Sequence, residues 1–121
     1  MNNKSFRDNF KKRLYKFTID LVKTIDRLPK NNSVCRIVGD QLLRSGTSIL
    51  ANFVEAQSAS SRRDFTNFIN HSLKSANESK MWLVLLKDAG KLDTKKFSSL
   101  LTEVDEISKI IAKIILTIRN K

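Results

Sequence analysis

Four stretches of this sequence carry apolar residues at alternating steps of three and four, and almost nothing interrupts them. That spacing puts the apolar side chains on one face of an α-helix. The 121 residues include only three glycines and one proline, too few turn formers for an all-β fold. A length of this order holds one hydrophobic core. With 40% hydrophobic and 29% charged residues, the chain has the composition of a globular domain.

The first helix is predicted over about 5–28, with Phe6, Phe10, Leu14, Phe17, Leu21, Ile25 and Leu28 on one side. Pro29 ends it, because proline lacks the amide hydrogen and disfavours helical geometry in the residue before it. Asn31-Asn32-Ser33 offers a turn and an N-cap. The second helix, about 34–57, turns Val34, Val38, Leu42, Ser45, Ile49 and Asn52/Phe53 inward. Gly46 lies inside it among Ser45, Ser48 and Ala51, a small-residue surface that suggests close helix approach. The third helix, about 62–89, opens on Ser61-Arg62-Arg63-Asp64, which resembles a capping box, and stops at Gly90. The fourth, about 94–119, follows an Asp93 or Thr94 cap and repeats the period through Phe97, Leu100, Val104, Ile107, Ile111 and Ile115. Short links force neighbouring helices antiparallel, so the expected fold is all-α, an up-down-up-down four-helix bundle forming one domain over 1–121. Met81 and Leu85 project nearly opposite Leu83, with Trp82 at the flank, and Ile110 and Ile114 widen the fourth stripe. A second apolar stripe marks an interface, so a homo-oligomer is expected.

Few residues are suited to catalysis. One histidine, His71, and one cysteine, Cys35, cannot make a zinc site of the usual His/Cys type within a monomer. Cys35 lies on an apolar face, as a small buried hydrophobe would. No Glu-x-x-His pair is present, and the glycines stand singly rather than in a phosphate loop. The expectation is a protein that is not an enzyme and has no metal or cofactor. Glu55 and Glu78 are the only carboxylates placed to share a seam between helices two and three, and a small enzyme built on them ranks last. No apolar run approaches the ~18 residues that span a bilayer, and the first residues lack the apolar segment of a signal peptide. A cytoplasmic location with no membrane partner is expected.

Charge is the main functional clue. The sequence has 23 Lys and Arg against 12 Asp and Glu, a net charge of +11. Such an excess favours polyanions. Residues 1–33 hold nine of the basic residues and three Asp, a surplus of six. On a helical wheel Lys12, Lys16, Lys23, Arg27 and Lys30 form a band opposite Phe10, Leu14 and Leu21. A solvated face explains such a band; so does a ridge that neutralises successive phosphates. Arg62 and Arg63 offer a second contact. The aromatic residues belong to the core pattern, which argues against base stacking. On the second helix, Gln41, Arg44, Ser48, Asn52 and Glu55 make a polar stripe. Counting outward from the turn brings Arg44 level with Glu78, so a hydrogen-bonded network is expected there.

The run Gln41-Leu42-Leu43-Arg44-Ser45-Gly46-Thr47-Ser48-Ile49, continuing through Ala51-Asn52 and Glu55-Ala56, is distinctive. So are Asp64-Phe65, Ser72-Leu73-Lys74, Asn77-Glu78 and Trp82-Leu83 with Leu85-Leu86. Together they resemble a bacterial family of proteins encoded in intervening sequences of 23S ribosomal RNA genes. More distantly, they resemble the accessory variability proteins of diversity-generating retroelements. The resemblance spans about residues 10 to 115. It implies a four-helix bundle with polar residues at the positions of Arg44, Asn52, Glu55 and Glu78, and for some members a pentameric ring with a basic surface. For the retroelement branch it implies a reverse transcriptase partner and nucleic-acid binding. The chain departs from the pattern at Phe53-Val54-Glu55-Ala56, a bulkier end to the second helix than the small-residue step and closing glycine of the family. The expected function is a non-catalytic, oligomeric nucleic-acid binder, with RNA ranked ahead of DNA. The alternative is a protein-interaction adaptor, such as an accessory subunit of a reverse transcriptase.

Overall fold

In the computed structural model, which describes residues 3–120, each apolar stripe has become a helix: α1 Asn3–Asp26, α2 Ser33–Gln57, α3 Arg62–Asp88 and α4 Thr94–Arg119. Met1, Asn2 and Lys121, inside the expected 1–121 domain, lie outside the described residues. The helix ends follow from local chemistry. Near Pro29, α1 stops two residues earlier than its apolar pattern suggests. The amides of Arg27 and Leu28 donate to the carbonyls three residues back, Thr24 and Ile25, which tightens the last turn. The side chain of Asn32 accepts from the Cys35 amide and caps α2. Ser61 caps α3 by accepting from the Asp64 amide. Asp64 does not close a full capping box, however, because its carboxylate accepts from the Ser60 hydroxyl at 2.9 Å. Gly90, at φ +73°, ends α3 in a left-handed turn. There the amides of Lys91 and Gly90 bond back to Leu86 and Lys87 as in a Schellman motif. Asp93 caps α4 through the Lys96 amide, and Arg62 donates to the Ile118 carbonyl at its far end.

Long-range contacts set the antiparallel order. Phe10 of α1 meets Phe53 of α2 edge to face, with ring centroids 5.1 Å apart. Further along, Leu21 lies over Gly46, and Leu28 and Ile25 lie over Gly39. Numbers fall on one helix as they rise on the other. Between α2 and α3 the same reversal joins Ser45 to Ser79 at 2.9 Å and the Ser72 hydroxyl to the Ile49 carbonyl at 2.8 Å. Lys80 reaches Asp105 across α3 and α4. The core runs through all four helices and includes Leu14, Leu42, Ile69, Leu83, Ile107 and Ile111, as their spacing predicts. Each such side chain contributes about 1.5–3 kcal/mol by leaving water.

The pairings are unequal. α2 and α3 pack most intimately, through Ser45, Ser72, Ala76 and Ser79, whereas α1 and α4 form the loosest seam. A buried serine in an apolar core would be costly without a partner. Here the hydroxyls of Ser45 and Ser79 bond each other, and Ser72 bonds a carbonyl of the facing helix. The close approach expected around Gly46 is real, but its cause is on α1. A Cβ at Gly46 would collide with Cδ2 of Leu21, which is fully buried and would have to repack within the core.

The two helical glycines therefore separate on substitution. Gly39→Ala places its Cβ no closer than 3.4 Å to Leu28, so the gain in helix propensity should stabilise the protein by up to about 1 kcal/mol. Gly46→Ala should instead lose about 1–2 kcal/mol, as overpacking outweighs the same gain. Urea denaturation of the two variants checks this; a Gly46→Ala protein as stable as the parent would show that Leu21 repacks freely.

Candidate nucleic-acid interface

Lys12, Lys16 and Lys23 stand exposed on the outer side of α1 and Arg27 in the turn that follows it, away from buried Phe10, Leu14 and Leu21. Their steps of four and seven residues keep them in one band about 22 Å long at 1.5 Å per residue. Among the described residues, none of the four is in an ion pair. Lys30 lies beyond the end of α1, where its ammonium meets both the carboxylate and the carbonyl of Asp26 at 3.3 Å. It closes the band rather than extending the helical row.

Arg13 sits on the flank of α1 that faces α4. Its guanidinium makes two 2.8 Å bonds to Glu103 and lies 3.4 Å from Glu106. Each side chain of the Arg13–Glu103 pair is about one third exposed. The hydrogen bonds from Arg13 hold the Glu103 carboxyl below its ordinary range against the opposing effect of burial, with the charges of Arg13 and Lys16 adding to the shift. The same contact raises Arg13. Asp105 is also lowered, first by its bond from Lys80 and then by that from Lys109. The acids of α4, those facing α1 and the one facing α3, thus have cationic partners of their own.

Arg62 and Arg63 do not join the band. They begin α3, at the end of the bundle opposite Arg27 and Lys30, and Arg62 is engaged with the α4 carbonyl of Ile118. Arg62 therefore caps a helix, while Arg63 remains exposed.

The polar network expected between α2 and α3 is not formed. Arg44 and Glu78 do occupy the same level, since each immediately precedes one serine of the Ser45–Ser79 bond. Yet they do not pair: Glu78 accepts from the Trp82 indole at 3.0 Å, and Arg44 is exposed. An exposed ion pair gains too little to hold two long side chains in place. Asn52 donates to the Ser48 carbonyl and the Ser48 hydroxyl to the Arg44 carbonyl, both within α2. Gln41 is half-buried, Glu55 is exposed, and neither side chain has a hydrogen bond across the seam among the described residues. The inter-helix bonds belong to Ser45, Ser72 and Ser79, one face further in.

The apolar stripes also divide. Met81 and Leu85 are exposed at 51% and 44%. Ile110 and Ile114, expected beside them at an interface, are partly buried and pack against the bundle's own core. Trp82 is likewise half-buried and packs against the core. Cys35 is buried and His71 exposed. No group of three His, Cys, Asp or Glu among the described residues is placed to hold a metal, and no described helix is long and apolar enough to cross a membrane.

Comparison with known proteins adds the family. The sequence pattern of the 23S rRNA-intervening sequence proteins matches residues 9–113, nearly the whole bundle. The chain belongs to that family. Its fold is also that of a crystal structure of a protein of unknown function from the S23 ribosomal protein family of Bacteroides thetaiotaomicron. The two are 37% identical, with a TM-score of 0.82 over 88% of this chain and 97% of the other. No curated protein matches.

In this family member the Arg13–Glu103 contact should be visible as a pH effect. Because folding lowers the Glu103 pKa, the stability it adds is full above the ordinary carboxylate range and is lost as pH falls through the folded value. Glu103→Gln should cost about 0.5–1 kcal/mol at neutral pH, a small figure for a partly exposed pair. The difference from the parent should vanish in acid, as read by urea melts at a series of pH values. A difference that persists below the carboxylate range would assign the loss to packing.

Proposed function

We propose that this protein is a non-catalytic, oligomeric RNA-binding member of the 23S rRNA-intervening sequence family. The observation that carries the reading is the exposed band of Lys12, Lys16, Lys23 and Arg27, with no carboxylate paired to any of them among the described residues. Such a row can replace the counterions condensed on a phosphate backbone, which gives salt-dependent binding with little sequence preference. The family's description refers to 23S rRNA intervening sequences, which makes structured RNA the first polyanion to test.

Binding of labelled structured RNA and duplex DNA across a salt series tests this. Changing Lys12, Lys16, Lys23 and Arg27 to Gln should reduce the slope of log affinity against log salt by about three, at 0.7–0.9 per phosphate contact. Between 50 and 200 mM salt the parent should then lose roughly a hundredfold more affinity than the variant. A parent that fails to bind, or a variant with an unchanged slope, overturns the ridge.

Self-association would multiply weak phosphate contacts into useful avidity. The exposed pair Met81 and Leu85 supports an interface there. Sedimentation equilibrium should show species above the 13.9 kDa of one chain, and Met81→Lys with Leu85→Lys should shift them toward the monomer. A parent that stays monomeric at tens of micromolar removes this part of the reading.

A further inference from the structure

Where the basic band of α1 ends, the loose α1–α4 seam opens into a cleft of about 250 Å³. Its lining brings three cations from separate parts of the chain: Arg27 from the turn just after α1, Lys91 from the α3–α4 connection and Lys96 from the first turn of α4. Among the described residues none of them is in an ion pair. The one carboxylate present, Asp93, already accepts from the Lys96 amide as the cap of α4. Three cationic side chains thus line one concave surface, where an anion of more than one charge is favoured.

We infer that this cleft seats a phosphate group of the bound RNA, at the point where the basic band meets α4. The inference rests on the RNA-binding reading above and adds Lys91 and Lys96 to it. Size favours a small anion, because the cleft is below the ~300–1,000 Å³ of sites that enclose a drug-sized ligand. Arg27 brings a planar fork that fits two phosphate oxygens, and the lysines act as point charges. The backbone that carries the lysines is set from both sides. The Schellman turn at Gly90 fixes Lys91, and the Asp93 cap fixes the first turn of α4.

The test compares two variants of equal charge loss in the full chain. Lys91→Gln with Lys96→Gln removes two of the three cleft cations and leaves the four band residues, Arg27 among them, intact. Lys74→Gln with Lys113→Gln removes two exposed lysines of α3 and α4 outside the cleft. The cleft variant should lose at least about tenfold in affinity for structured RNA and lower the salt slope by nearly two, with the control changing about twofold or less. Equal losses in both variants, or parent-like binding by the cleft variant, overturn the cleft while the band reading stands. Failure of the parent to bind RNA at all overturns both. Inorganic phosphate, titrated against the isotopically labelled protein and followed by NMR, should give saturable shifts at the amides of Arg27 and 91–96. These shifts should be lost in the cleft variant and displaced by RNA. Shifts spread over all basic residues overturn the site. Saturable phosphate shifts alongside parent-like RNA affinity in the cleft variant would mark a site for free phosphate and overturn the RNA assignment.

Discussion

The bundle is organised around the close packing of α2 against α3. Ser45, Ser72, Ala76 and Ser79 are small enough for the two backbones to approach until side-chain hydroxyls bond across the seam. These bonds do more to set register than to add stability, since each replaces bonds to water with a net gain near 1 kcal/mol. Their directional demand is the stronger effect. A slip along the seam would leave buried hydroxyls unsatisfied at a cost of about 1–3 kcal/mol each. With α2 and α3 locked, α1 settles where Leu21 enters the space left by Gly46, and α4 closes the remaining side with its isoleucines.

Electrostatics are arranged on that frame by pairing some charges and leaving others unpaired. The acids of α4 are occupied: Glu103 and Glu106 by Arg13, and Asp105 by Lys80 and Lys109. The outer band of α1 keeps its charge as a result. Four of the 23 cationic side chains thus form one continuous row on an identifiable surface. Anion binding at such a surface relieves the repulsion that a strongly basic chain imposes on itself.

The helices, their order and the core were legible because local signals agreed. Asn32, Ser61, Asp93 and Gly90 stand where caps and stops belong, and Pro29 closes α1. What a helical pattern does not carry is decided by tertiary contacts. A helical wheel shows that Ile110 and Ile114 widen the stripe of α4, but not that they pack partly against the bundle's own core. It places Arg44 level with Glu78, but not the indole of Trp82 one turn along that takes the carboxylate. The Arg13–Glu103 pair joins residues 90 positions apart, and no local pattern marks it. Lys91 and Lys96 escaped notice for the same reason, since only the packing of α4 beside α1 brings them to Arg27.

The weak seam between α1 and α4 has a mechanical meaning. A helix held firmly on one side and loosely on the other is the element that swings out first when a bundle opens locally. Arg13 with its two glutamates is the polar latch on that side, and both ends of the latch are partly wetted. A polyanion gripping Arg27 just beyond α1 and Lys96 on α4 would act as a second latch, spanning the loosest seam of the bundle. Its binding energy would then oppose opening of the bundle, so that cargo and scaffold stabilise each other.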